Sequence, residues 1–192
     1  MTRFFTRIAA ASLMALVSTA AFAAEPENTL VISLKDGDVT IALRPDLAPK
    51  HVEQIKALTR KGAYDNVVFH RVIDGFMAQT GDVQFGNSAK DFNPAQAGMG
   101  GSDLPDIKAE FSQEPFVRGT VGMARAQSPD SANSQFFITF GDASFLNGQY
   151  TVVGNVESGM ELVDKIKKGD EAQNGVVSDP DKMVKVKIAA DK

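Results

Sequence analysis

The chain has 192 residues, 43% of them hydrophobic, with 20 basic and 24 acidic side chains, a net charge of −4 and no cysteine. That length is enough for one domain to bury its own core. The lack of cysteine excludes disulfides, thiolate zinc sites and cysteine nucleophiles, and an acidic balance without a basic stripe argues against a nucleic-acid partner.

Residues 1–23 read as a secretory signal peptide. Arg3 and Arg7 form a positive start, Ile8 to Ala21 is apolar apart from Ser12, Ser18 and Thr19, and Ala21-Phe22-Ala23 is a small-residue cleavage site. The apolar run is shorter than the roughly 20 residues that a spanning helix needs. The expected mature domain is therefore 24–192, released into a periplasm, where the absence of thiols suits an oxidising compartment. No membrane contact is expected after cleavage.

Thr29 to Leu34 and Val39 to Leu43 are β-branched runs flanking Asp36-Gly37, a hairpin signal. Pro49 to Gly62 has the signature of a helix, with proline at its first turn and glycine at its end. Ala48, Val52, Ile55 and Leu58 form its apolar stripe. His51 falls on the polar side and reads as a solvated surface residue. Val67 to Ile73 and Phe76 to Gln79 read as strands joined by Asp74-Gly75, with Phe69 and Arg71 on one face by alternation. Residues 82–118, rich in Gly, Pro, Asn and Asp, form a long loop, and loops of that length are functional or disordered. Strands follow at Thr120 to Ala124, Gln135 to Phe140, Thr151 to Glu157 and Met183 to Ile188. A short helix spans Gly159 to Ile166, and Gly169 to Asp181 is a second polar loop. Eight strands in hairpin order with two helices describe a mainly β domain.

Little in the chain suits hydrolysis. Only two histidines are present, no G-x-S-x-G elbow serves them, and the carboxylates match no metal-ligand spacing, so no metal site is expected. Two stretches carry the chemistry instead: Phe69-His70-Arg71-Val72-Ile73-Asp74-Gly75-Phe76-Met77-Ala78-Gln79-Thr80-Gly81-Asp82 and Ser134-Gln135-Phe136-Phe137-Ile138-Thr139-Phe140. They put an arginine, two glutamines and several aromatic rings on strands with no nucleophile. An arginine amid apolar neighbours either faces a cleft or is tied to a carboxylate at the edge of the core.

These motifs, with Met123-Ala124-Arg125-Ala126 between them, resemble the cyclophilins, the cyclophilin-type peptidyl-prolyl cis-trans isomerases. The resemblance runs from about Thr29 to Ala190, and the leader makes the chain similar to exported bacterial members. It implies a closed eight-stranded antiparallel β-barrel capped by two α-helices. It also implies an enzyme that needs no cofactor and acts on proline-containing polypeptides, and nothing in the sequence demands more than a monomer. Arg71 is similar to the family's catalytic arginine, and Gln79 to the residue that holds it. Phe76, Met77, Phe137 and Leu146 match the walls of the proline pocket. His70 and Gln135 match polar contacts along the peptide groove, and Ala124 and Arg125 the segment that meets the residues before the proline. Phe145 and Tyr150 stand at substrate-binding positions where many members carry tryptophan and histidine, and Arg125 where many have asparagine. Phe140 is expected in the core. Two other readings stay open: a peptide-binding module without catalysis, and a hollow barrel for small molecules, which the many large apolar side chains disfavour.

Overall fold

The computed structural model describes residues 25–90 and 92–191; the leader expected at 1–23 lies outside them. Eight antiparallel strands are β1 (Thr29–Leu34), β2 (Gly37–Leu43), β3 (Arg71–Ile73), β4 (Met77–Thr80), β5 (Thr120–Met123), β6 (Phe136–Thr139), β7 (Val152–Ser158) and β8 (Lys185–Ile188). The helices are α1 (Pro49–Arg60) and α2 (Met160–Val163). One sheet runs β3-β4-β6-β5-β7-β2-β1-β8.

The expected closed barrel is corrected to a curled half-barrel, because β3 and β8 form no ladder with each other. Residues 66–72 and 175–183 bridge the gap instead. Met183 N–H donates to Val67 O at 2.9 Å, Phe69 N–H to Asp181 O at 2.8 Å and Val72 N–H to Gly175 O at 2.8 Å. The approach to β8 carries Asp179 at φ +51 and then Pro180, which has no N–H to donate, so a regular strand cannot run there.

Strand alternation sorts the side chains onto two faces. Val72, Ala78, Ile138 and Val121 are paired across β3, β4, β6 and β5 and point into the main core. That core also takes Leu30, Ile32 and Ile41, and it is capped by Val52, Ile55 and Leu58 of α1 and Val163 of α2. The interior is filled, so the hollow barrel falls away. Phe140 joins this core, as expected. The opposite face carries Met77, Phe116, Phe137, Leu146 and Val152, a second apolar cluster outside the curl.

Local boundaries follow local chemistry. Leu34 pairs with Gly37, so the first hairpin turns on Lys35-Asp36, one residue earlier than Asp36-Gly37 suggested. Beyond Asp164 the backbone bonds shift from i−4 to i−3, with Lys165 N–H donating to Leu162 O and Ile166 N–H to Val163 O, which ends α2 short of Ile166.

Two sequence expectations fail here. His51 is fully buried, not solvated. Its Nδ1 lies 2.6 Å from a carboxylate oxygen of Glu110, 59 residues away, and the same oxygen accepts the backbone N–H of His51 at 3.1 Å. Ala48 provides no side-chain cap, so this remote carboxylate serves the orphan donors of the α1 N-terminus. Phe69 and Arg71 do not share a face. Regular pairing starts only at Arg71, and Phe69 is packed in the main core while Arg71 lines a cavity on the other side.

Candidate active site

Register builds the site. Arg71 on β3 pairs with Gln79 on β4, Gln79 with Phe137 on β6, and Phe137 with Gly122 on β5. The four positions form one cross-strand row on the outer face. Gly122 makes the row concave: a Cβ there would sit 2.6 Å from atoms of both Phe116 and Phe137, so only glycine leaves room for these stacked rings. The β3–β4 hairpin closes through the three-residue loop Asp74-Gly75-Phe76, with Gly75 at φ +69. Phe76 therefore leaves the turn toward the cavity, 5.3 Å from the Phe145 ring.

The cavity on this face holds about 310 Å³ and brings together Arg71, Phe76, Met77, Gln79, Ala124, Arg125, Phe137, Phe145, Leu146 and Tyr150. Ten of the twelve residues expected at the site thus line one apolar slot with a guanidinium beside it. Gln135 lines a second, adjoining cavity of about 580 Å³ that shares Gln79, Ala124 and Arg125 with the first. His70 lines neither. It is buried against Gly98, and burial pushes its pKa down to about 4, so the imidazole is neutral at pH 7. A third, largely apolar cleft of about 240 Å³ near Leu34, Leu162 and Ile166 carries none of these residues.

Arg71 is held by neutral groups. Its Nε donates to Asn174 O at 3.0 Å, Nη2 to Asn174 Oδ1 at 3.0 Å and Nη1 to Gln79 Oε1 at 3.2 Å. No described carboxylate lies in ion-pair range, which removes the core-edge ion pair left open by the sequence. Partial burial lowers its pKa, and the side chain stays charged. A guanidinium has five N–H donors, so Nη2 keeps one for a ligand in the slot, while the second N–H of Nη1 meets only the weak acceptor Met77 Sδ at 4.0 Å.

Behind Arg71 runs a relay of directed hydrogen bonds. Gln79 Nε2 donates to Gln135 Oε1 at 2.9 Å, and Gln135 Nε2 donates to the carbonyls of Gly98 and Gly100 at 2.9 and 2.8 Å. The backbone N–H groups of those same two glycines donate to Asp82 Oδ2 at 2.7 and 3.0 Å. Each amide has one orientation that satisfies both its neighbours, so the row is fixed before any ligand arrives. Gly98 to Ser102, within the long loop expected at 82–118, are thus pinned into a wall of the second cavity.

The family model for cyclophilin-type peptidyl-prolyl cis-trans isomerases matches residues 29–188. The chain belongs to the cyclophilin family. It is 67% identical over 188 residues to a probable peptidyl-prolyl cis-trans isomerase of Brucella suis, covering 96% of this chain and 95% of that one. Peptidyl-prolyl cis-trans isomerase A of Dickeya dadantii is 37% identical over 168 residues, covering 83% of each. Among solved structures, cyclophilin AquaCyp293 from Hirschia baltica superposes with a TM-score of 0.73 at 25% identity, covering 88% of this chain and 76% of that one. A Cryptosporidium parvum cyclophilin-type isomerase, solved in the presence of the dipeptide Ala-Pro, gives 0.70 at 27% identity, covering 83% and 98%. This cyclophilin is accordingly a peptidyl-prolyl cis-trans isomerase.

Asn174 was missed by the sequence reading, which left it inside a polar loop. The signal was present: Asn174-Gly175 is a pair suited to positive φ, and the two adopt +56° and +80°. That bend turns both the carbonyl and the side chain of Asn174 onto Arg71. Asn174→Gly keeps the backbone conformation and removes the side chain, and with it the Oδ1 acceptor for Arg71 Nη2. It is expected to lower kcat about tenfold, the scale of one lost hydrogen bond to a charged group. KM should change less than kcat. A protease-coupled assay on a proline peptide reads both, and an unchanged kcat would show that Asn174 does not position the arginine.

Proposed function

We propose that this cyclophilin accelerates rotation about Xaa-Pro bonds in exported proteins as they fold in the periplasm. In this reading residues 1–23 direct export and are removed, and the domain at 24–192 works as a monomer. The observation that carries the reading is the guanidinium of Arg71, braced by neutral partners beside an apolar slot.

The reaction needs nothing more. Rotation about the imide costs about 18–20 kcal/mol because resonance holds it planar, and uncatalysed exchange takes tens to hundreds of seconds. In the twisted state the lone pair returns to the proline nitrogen, which becomes a better hydrogen-bond acceptor. A donor fixed near that nitrogen favours the twisted state over both planar ones. Arginine suits this task because it stays charged and its fork is rigid. Phe76, Met77, Phe137 and Leu146 hold the proline ring and exclude water, while Gln79 and Asn174 keep Arg71 aimed. Gln135 and Ala124 line the path of the flanking chain. The Ala-Pro dipeptide named with the Cryptosporidium relative supports a proline-containing ligand.

Two measurements test the biological part. Fractionated cells should contain the protein in the periplasm with Ala24 at its N-terminus. The purified domain should accelerate refolding of an exported protein whose slow phase is proline-limited. An unprocessed cytoplasmic chain, or a refolding rate that does not respond to the enzyme, would contradict it.

A further inference from the structure

The described chain contains five arginines, and their partners divide sharply. Arg44 pairs with Asp46, Arg60 with Glu27 and Asp191, and Arg118 with Asp164. The two arginines of the cavity have no described carboxylate within ion-pair range. Arg71 is held by Asn174 and Gln79. Arg125 donates through Nη1 to the carbonyls of Ala126 at 3.0 Å and Gln127 at 3.2 Å, and through Nη2 to that of Gln149 at 3.1 Å. Its Cζ lies 4.5 Å over the Tyr150 ring. Carbonyls and a ring face fix the guanidinium in place but leave its full charge unbalanced. In a chain with an acidic excess, two unbalanced cations at the same cavity are a local reversal of sign.

Arg125 also occupies the junction of the two cavities, lining both. A peptide that leaves its proline in the first cavity and continues into the second must pass this guanidinium. The second cavity itself has one carboxylate among its lining residues, the exposed Asp106, which accepts from Asn133 Nδ2 at 2.9 Å. Positive charge at the junction and negative charge farther out make the groove sensitive to where a substrate carries its own charge.

We propose that Arg125 is a specificity-determining residue and that the groove prefers substrates with an aspartate or glutamate flanking the proline on the side of the second cavity. This rests on the isomerase reading. The preference is local, since the net charge of the chain opposes it and charges beyond about 8 Å are screened at physiological ionic strength. An acidic side chain that reaches Asp106 loses the advantage.

The test uses the mature protein and pairs of proline peptides that differ by Glu against Gln at one position, scanned along both sides of the proline. One flanking position should show kcat/KM about fivefold higher for Glu at low salt, the scale of a partly exposed ion pair. The ratio should fall toward one in about 1 M NaCl, where the screening length is about 3 Å. It should also fall toward one in Arg125→Gln. Equal catalysis of Glu and Gln peptides at every position overturns the proposal. So does a preference that survives both salt and the substitution. If no peptide exchanges faster than it does without protein, the isomerase reading itself fails, and the preference goes with it.

Discussion

Arg71→Ala is expected to lower kcat/KM for a proline peptide by about 10²–10³-fold, the usual cost of deleting a donor that acts on the transition state. The folded state should tolerate the change. Arg71 makes three hydrogen bonds to neutral oxygens and a long one to Met77 Sδ at 4.0 Å, at a half-exposed position, and losing them should cost about 1 kcal/mol of stability. Arg71→Lys separates charge from geometry. An ammonium keeps the positive charge but cannot hold Asn174 and Gln79 through a planar fork while presenting a donor to the slot. It should recover little of the lost rate. Circular dichroism and a urea midpoint confirm the fold of both variants. An Arg71→Lys enzyme with full activity would show that charge alone suffices and that the bracing is incidental.

Asp82→Ala is expected to cost about 3–4 kcal/mol of stability, among the larger effects of a single substitution. Asp82 is fully buried and its carboxylate accepts four backbone N–H groups, from Gln84 at 3.1 Å, Phe85 at 2.9 Å, Gly98 at 2.7 Å and Gly100 at 3.0 Å. Alanine orphans all four. The damage does not stop at stability, because Gly98 and Gly100 also provide the carbonyls that anchor Gln135, which orients Gln79, which receives Arg71. The surviving folded fraction should show a reduced kcat. Asp82→Asn, which keeps one acceptor oxygen, should fall between wild type and alanine. Urea unfolding with an unchanged m-value reports the stability loss. A shift of less than about 0.5 kcal/mol, the range of ordinary surface substitutions, would mean the loop is held by other contacts.

Much of this fold is legible in the sequence where local chemistry decides it. β1 falls on Thr29–Leu34 as the β-branched run suggests, and α1 starts at Pro49 with Val52, Ile55 and Leu58 buried as its stripe requires. The site row is legible only in part: a turn of Asp74-Gly75 alone would set Arg71 opposite Ala78, and the third loop residue, Phe76, shifts its partner to Gln79. What stays hidden depends on residues distant in the chain. The capping of α1 by Glu110 could not be read from the α1 sequence, so His51 looked solvated. The failure of β3 and β8 to pair depends on the bend at Asp179 and Pro180 and on residues 175–183 bonding to residues 66–72, a meeting that periodicity does not describe. Alternation mislaid Phe69 because the segment before Arg71 forms only isolated bridges, where the two-residue period lapses. Asn174 reaches Arg71 from 103 residues away, and only its turn-forming neighbour Gly175 hinted at it.

The most direct test of a braced guanidinium that favours a twisted imide is the exchange rate of a proline peptide while it is bound. Two-dimensional exchange NMR at saturating enzyme gives that rate, and titration on the same samples gives the affinity. If Arg71 acts on the twisted state, Arg71→Ala should slow bound-state exchange about 10²–10³-fold, yet weaken peptide binding only a few-fold. Bound peptide that exchanges as fast on the variant as on the wild type would contradict the account.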